Sequence, residues 1–209
     1  MIVDPAIEAH LRALQDAGGP VLEEMELEGR RRGFPIIGPL VGRLCEQAAR
    51  SIGARRVFEM GSGFGYSTAW FARAVGEDGE VVHTDDDPAL GEEARGWLER
   101  AGLADRVRFA TGDALDLIAA EEGDFDVVFI DVDKGDYPRA WRLARDRVRR
   151  GGLVIMDNML WSGKVADPAV DDEWTEAVRE SARLAMADKA YLAQVLPVRD
   201  GVLLALRVA

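Results

Sequence analysis

The chain has 209 residues, 48% hydrophobic and 31% charged, with 38 Asp and Glu against 26 Lys and Arg and a formal net charge of −12. That length favours one domain with ample chain for a core, and the acid excess argues against nucleic-acid or anionic-membrane partners, whose phosphates attract positive surfaces. A single cysteine excludes an internal disulfide and a paired-cysteine zinc site, and neither a leader pattern at Met1–Pro5 nor an apolar run of membrane-spanning length is present, so a cytoplasmic protein is expected.

Asp4–Pro5 is a helix start, an acceptor oxygen followed by a residue that needs no amide partner. Ile7, Leu11 and Leu14 then recur at helical spacing up to Gly18–Gly19–Pro20. A second helix is expected over Val21–Arg32, and a third over Pro39–Ser51 with Leu40, Val41, Leu44, Cys45, Ala48 and Ala49 on one side. From Arg56 short apolar runs alternate with helical stretches. Strands are predicted at 57–60, 80–84, 107–110, 125–130 and 153–156, with helices at 66–75, 88–101, 115–120 and 139–149 between them. The basic run Arg145–Arg150 reads as the exposed face and end of the last of these helices. This alternation implies an α/β protein whose parallel sheet is covered on both faces. After a loop from Asn158 to Val170 comes a helix from Asp171 to Ala187. Two strands, 191–196 and 202–208, then flank Asp200–Gly201, a turn signal for an antiparallel hairpin. Residues 1–52 read as N-terminal helices forming a lid, and 53–209 as a binding and catalytic core within one domain.

The first strand runs into Glu59–Met60–Gly61–Ser62–Gly63–Phe64–Gly65–Tyr66–Ser67, a glycine turn that opens a helix. Glycines there let the backbone approach a ligand, and the helix start offers free amides. The dinucleotide pattern places a glycine where Tyr66 stands, so that pattern fails. The segment resembles the S-adenosylmethionine-binding segment of Rossmann-like methyltransferases, and Glu59 suits a ligand carrying an amino group and a sulfonium. Asp85, with Asp86 beside it, ends the second strand 24 residues after the first glycine, near the spacing of a ribose-binding carboxylate. Asp87 reads as the N-cap before Pro88, and the third strand ends in Thr111–Gly112–Asp113–Ala114.

The fourth strand ends in Asp131–Val132–Asp133–Lys134 and the fifth in Asp157–Asn158. Neighbouring parallel strands would bring Asp131, Asp157 and the Asn158 amide oxygen together as three hard oxygen ligands, a set suited to Mg²⁺ rather than zinc. The stretch from Phe125 through Asp131, Lys134 and Tyr137, with Asp157–Asn158–Met159–Leu160–Trp161, resembles the cation-dependent catechol and caffeoyl-CoA type O-methyltransferase family. Together with the glycine segment, the likeness spans nearly the whole chain.

The resemblance implies a Rossmann-like class I methyltransferase fold with a mostly parallel seven-stranded sheet and a C-terminal antiparallel hairpin. It implies S-adenosylmethionine as methyl donor, Mg²⁺ (or Mn²⁺ or Ca²⁺) at Asp131, Asp157 and Asn158, and Lys134 as the catalytic lysine. Cofactor contacts are expected at Ile37, Glu59, Gly61, Ser62, Gly63, Tyr66, Ser67, Asp85, Asp86, Gly112, Asp113, Ala114 and Asp131, and an acceptor-pocket wall at Trp161. A lysine beside a cation can act as general base, which an arginine cannot. The expected acceptor is a small molecule with vicinal hydroxyls, and the expected assembly a homodimer. Where the family carries a Gly-Gln pair near the cofactor, this chain has Gly42–Arg43. An RNA or protein acceptor, or a cofactor-binding module without transfer, are the alternatives; the acidity counts against RNA and the intact Asp131, Lys134, Asp157 and Asn158 against the module. Cys45 reads as core, His10 as helix surface, and His83 as packing or a cofactor-edge contact.

Overall fold

The computed structural model describes residues 3–209; Met1 and Ile2, where the reading of the N-terminal leader starts, lie outside them. Three helices come first: α1 (Pro5–Ala13), α2 (Pro20–Arg32) and α3 (Gly38–Ser51). The Asp4 carboxylate caps α1 by accepting the Ala6 amide at 2.8 Å, and α2 ends in left-handed Gly33. α1 buries none of its residues, and Ile7, Leu11 and Leu14 form an exposed stripe.

Then β1 (Arg56–Met60), α4 (Tyr66–Val75), β2 (Glu80–Asp85), α5 (Pro88–Arg100), β3 (Val107–Thr111), α6 (Ala114–Ala120), β4 (Phe125–Ile130), α7 (Tyr137–Arg147) and β5 (Val148–Met156) alternate. After α8 (Glu173–Ala187) the chain closes with β6 (Tyr191–Leu196) and β7 (Val202–Arg207). The seven strands are ordered β3-β2-β1-β4-β5-β7-β6. Strands β1 to β5 pair in parallel, while β7 pairs antiparallel to both β5 and β6. β7 alone therefore opposes the other six. Side chains alternate across the sheet: Val57, Val127 and Ile155 face α2, α3, α4 and α5, while Phe58, Val128 and Val154 face α6, α7 and α8. Both faces are buried, so these strands are apolar on both sides.

One boundary corrects the sequence reading. α7 stops at Arg147, and Val148 to Gly152 belong to β5, so Arg149 and Arg150 lie in a strand and not at a helix end. Val148 pairs with Phe125, and the register shifts between Phe125 and Val127. The Arg149 guanidinium meets the Asp126 carboxylate at 2.5 Å, and that carboxylate also accepts the Arg55 and Arg56 amides. This ion pair and the pairing of Val148 with Phe125 outweigh the helical signal of an arginine run. A second difference is a short 3-10 segment (Trp161–Ala166) inside the expected loop, with Ser162 and Gly163 left-handed.

Candidate active site

Chain order reverses between β1 and β4, and a cavity of about 600 Å³ opens there at the carboxyl ends of the strands. Open α/β sheets place ligands at this switch point because loops diverge to either side of it.

One end of the cavity is mostly backbone. A side chain at Gly61 (φ +82) would put its Cβ 2.5 Å from the Asp131 carbonyl, so only glycine lets β1 run on beside the end of β4. Gly65 (φ +87) admits α5, since a Cβ there would lie 2.8 Å from that of Ala94. The turn is laced to β2: Ser62 N–H donates to the Thr84 carbonyl at 2.9 Å, Thr84 N–H to Ser62 Oγ at 3.1 Å, and Gly63 N–H to Asp85 Oδ2 at 2.9 Å. Asp85 Oδ1 accepts the Asp87 amide at 3.0 Å. Asp87 caps α5 through the Ala89 amide, as expected, and Asp113 caps α6 through the Leu115 amide at 2.7 Å.

The other end is built from side chains. Lys134 Nζ donates to Asp131 Oδ1 at 2.9 Å, to the Tyr137 hydroxyl at 2.7 Å and to the Val132 carbonyl at 3.3 Å. The buried Tyr137 hydroxyl in turn donates to the Asp157 carbonyl at 3.1 Å. Burial, reinforced by the charge of Asp131, pushes the Asp157 carboxyl up to about 7. Asn158 adopts φ +53, and its Nδ2 lies 3.5 Å from Asp200 Oδ2 at the tip of the β6–β7 hairpin. Trp161 and Trp174 close this end with ring centroids 6.3 Å apart, edge to face.

Of the residues expected from sequence, Ile37, Gly61, Ser62, Gly63, Tyr66 and Ser67 line the cavity on the turn side. Asp85, Asp86, Gly112, Asp113 and Ala114 line it along β2 and β3, and Asp131, Lys134, Asp157, Asn158 and Trp161 along β4 and β5. Glu59 is the exception: it is fully buried beneath the turn, outside the cavity lining. Neither of its carboxylate oxygens has a hydrogen-bond partner in the protein. Burial pushes its carboxyl up to about 7, against the opposing pull of the hydroxyls of Thr68, Ser67 and Ser62. Arg43 does not reach the cavity; it pairs with Glu46 at 2.7 Å and lies over the Trp70 ring.

Sequence reasoning missed Tyr137 as a site residue, although the spacing Asp131–Lys134–Tyr137 was visible. It also missed Pro35 and Trp174, which line the cavity; Phe34, at the end of the segment Val21–Phe34 that the family likeness assigns to acceptor specificity, lines it too. A tryptophan near the start of a helix otherwise rich in charge was the available signal for Trp174.

Among the described residues no group of three His, Cys, Asp or Glu side chains is placed to hold a metal. The candidate set is two carboxylates and an amide oxygen. A buried acid at Asp157, raised by burial and by the charge of neighbouring Asp131, fits a hard cation that retains water ligands. A buried, unpartnered carboxylate at Glu59 likewise fits a ligand bearing an ammonium group.

A seven-stranded mixed sheet of this order, parallel except for β7 and with its cavity at the switch point, is the Rossmann-like fold of class I methyltransferases. A family model described as O-methyltransferase matches residues 41–208. A catechol O-methyltransferase from Niastella koreensis is 30% identical over 92% of this chain and 83% of its own length. A catechol O-methyltransferase from Mycobacterium tuberculosis is 36% identical over 84% and 74%. The solved structure of an O-methyltransferase from Bacillus cereus in complex with SAH superposes with a TM-score of 0.87 at 29% identity, covering 97% of both chains. That of TomG from Streptomyces achromogenes, in complex with SAM, gives 0.88 at 28%, covering 98% and 96%. The chain belongs to the S-adenosylmethionine-dependent O-methyltransferase family.

Proposed function

We propose that the protein transfers the methyl group of S-adenosylmethionine to one hydroxyl of a small acceptor with vicinal hydroxyls, in a reaction that requires a divalent cation. The observation that carries this reading is the convergence of Lys134, Asp131, Asp157 and Asn158 at one end of a cavity whose other end is the glycine turn. Two relatives bear the name catechol O-methyltransferase, which supports the acceptor class.

The turn residues Gly61, Ser62 and Gly63, with Tyr66 and Ser67 at the start of α4, would hold the methionine part of the donor, and Glu59 beneath the turn would supply the negative charge that favours its ammonium. Asp85, with Asp86 beside it, would accept from the ribose hydroxyls, while Gly112, Asp113 and Ala114 border the adenine and Ile37 covers it. Asp131, Asp157 and Asn158 would hold the cation, with Asp131 also facing the donor. A cation there supplies Lewis-acid stabilisation of an ionised hydroxyl. Methyl transfer to a hydroxyl forms a carbon–oxygen bond, breaks the carbon–sulfur bond and leaves one proton to be removed. Lys134, once neutral, takes that proton at Nζ, and Tyr137 and the Val132 carbonyl keep Nζ in place. Trp161 and Trp174 offer an aromatic wall to a flat acceptor. Much of the rate then comes from holding acceptor oxygen and methyl carbon in line.

The wider expectations belong to the same proposal: a cytoplasmic enzyme of one domain, with residues 1–52 as lid and 53–209 as core, acting on a small molecule rather than nucleic acid or membrane. No described helix is long and apolar enough to cross a membrane. The homodimer reading rests on the family likeness and on the solvent-facing stripe of Ile7, Leu11 and Leu14.

The test is a methyl-transfer screen over catechols and caffeoyl-type esters with S-adenosylmethionine, with and without Mg²⁺. Mg²⁺-dependent methylation of a vicinal diol is expected. Transfer confined to lone hydroxyls would overturn the acceptor class.

A further inference from the structure

His83 stands two residues before Asp85 on β2, and side chains at that spacing share one face of a strand. The face is the one covered by the glycine turn. Only 1% of His83 is exposed, so its polar ring atoms need partners within the protein. Its Nε2 lies 3.0 Å from the Gly63 carbonyl oxygen. A carbonyl only accepts, so Nε2 carries the proton and donates. The ring packs on Phe109 of β3, directly across the ladder from it, with centroids 5.1 Å apart. Arg95 of α5 covers the same Phe109 ring at 4.2 Å. The imidazole is thus fixed by its neighbours before it meets the turn.

Gly63 is therefore gripped on both sides. Its carbonyl is held by His83 and its amide by Asp85 Oδ2 at 2.9 Å, with φ at +52. The second Asp85 oxygen accepts the Asp87 amide. Each carboxylate oxygen thus has one fixed backbone donor, and the orientation of the group toward the cavity depends on where the Gly63 amide points. Without the histidine the Gly63 carbonyl loses its partner, and this conformationally free residue is tied to β2 through its amide alone. Gly63 could then shift as a whole and carry its amide away from Asp85.

We propose that His83 is a positioning residue for donor binding: by clamping the Gly63 carbonyl it sets the Gly63 amide that orients Asp85, the carboxylate meant for the ribose hydroxyls. The inference rests on the proposed donor site, and it concerns a residue that touches neither donor nor acceptor.

Calorimetric titration with S-adenosylhomocysteine tests it, alongside the same titration with the 2′-deoxyribose analogue. His83→Leu keeps the volume and removes the donor; His83→Gln keeps an N–H of similar reach. His83→Leu is expected to weaken S-adenosylhomocysteine about tenfold and to shrink the preference for the intact ribose, while His83→Gln stays within about threefold of wild type. A role in packing alone predicts a lower melting temperature in His83→Leu with affinity and ribose preference unchanged, and that result overturns the proposal. Should His83→Leu not fold, nitrogen-15 NMR of the wild-type imidazole decides. An Nε2-protonated ring whose proton exchanges more slowly on saturation with S-adenosylhomocysteine supports the clamp; an Nδ1-protonated ring, or exchange indifferent to the ligand, refutes it. Asp85→Asn distinguishes the donor site from the clamp. Wild type that does not bind S-adenosylhomocysteine refutes the donor site itself, and the clamp with it. Binding that is lost in Asp85→Asn but untouched in His83→Leu refutes the clamp only.

Discussion

The two ends of the cavity are made in different ways. At the glycine turn, backbone amides and carbonyls are tied to β2, and the acid facing the cavity has both oxygens on fixed donors. At the Lys134 end, a buried acid at Asp157 is raised to about 7, a lysine is shared among three acceptors, and Asn158, Trp161 and Ser162 all hold positive φ without being glycine. Apart from the unpartnered Glu59 beneath the turn, the first end is satisfied by the fold itself and is suited to binding. The second keeps like charges and strained backbone together, a state that persists only where the surroundings enforce it and that marks a place for chemistry.

Changes at the second end should therefore impair methyl transfer or acceptor use and spare donor binding. Lys134→Ala is expected to lower kcat by about 10²–10⁴-fold, the range of a lost general base, with S-adenosylhomocysteine affinity within about threefold of wild type. Full turnover by the variant in a radiolabelled methyl assay would remove Lys134 from the proton transfer. Trp174→Ala, at the mouth, should raise the KM for a catechol about tenfold with a smaller change in kcat. An unchanged KM would assign the Trp161–Trp174 pair to packing.

Glu59 tests the first end. Its carboxyl is raised from 4.5 to about 7 in the ligand-free fold, so folding favours the protonated form. The stability this confers is present below the unfolded value and is lost as pH rises through about 7; the full shift corresponds to roughly 3 kcal/mol. Glu59→Gln should therefore be more stable than wild type at pH 8, with the difference gone near pH 4, and should bind S-adenosylmethionine less tightly. Denaturant midpoints at the two pH values check this, and a difference independent of pH would mean that Glu59 is partnered in the free protein. The smallest effect is expected from Arg43→Gln. Arg43 lies on Glu46 and Trp70, away from the cavity, so donor affinity should change less than twofold and stability by about 1 kcal/mol or less.

The same contrast explains what was legible in the chain. The glycine turn, Asp85, Asp131 and Asp157 each follow an apolar strand, and strand ends are visible as breaks in hydrophobic runs. The parallel order and the closing hairpin followed from the same alternation and from Asp200–Gly201. Tyr137, Trp174 and Phe34 were harder to find because their contribution depends on which loops fold over the sheet. Phe34 comes from the segment before α3, and Trp174 from the start of α8, far from the acids in sequence. Arg149 and Arg150 were misplaced for a related reason: a partner at Asp126, distant in sequence, decides that they are strand. Only the fold shows that Arg43 turns away from the cavity and that Glu59 is sealed from it.

The most direct test strips divalent ions with EDTA and measures, on one preparation, S-adenosylhomocysteine binding by calorimetry and methyl transfer to catechol. The dissociation constant is expected to stay within about threefold, transfer to fall to background, and Mg²⁺ to restore it. Transfer that persists in the stripped protein would contradict the need for a divalent cation.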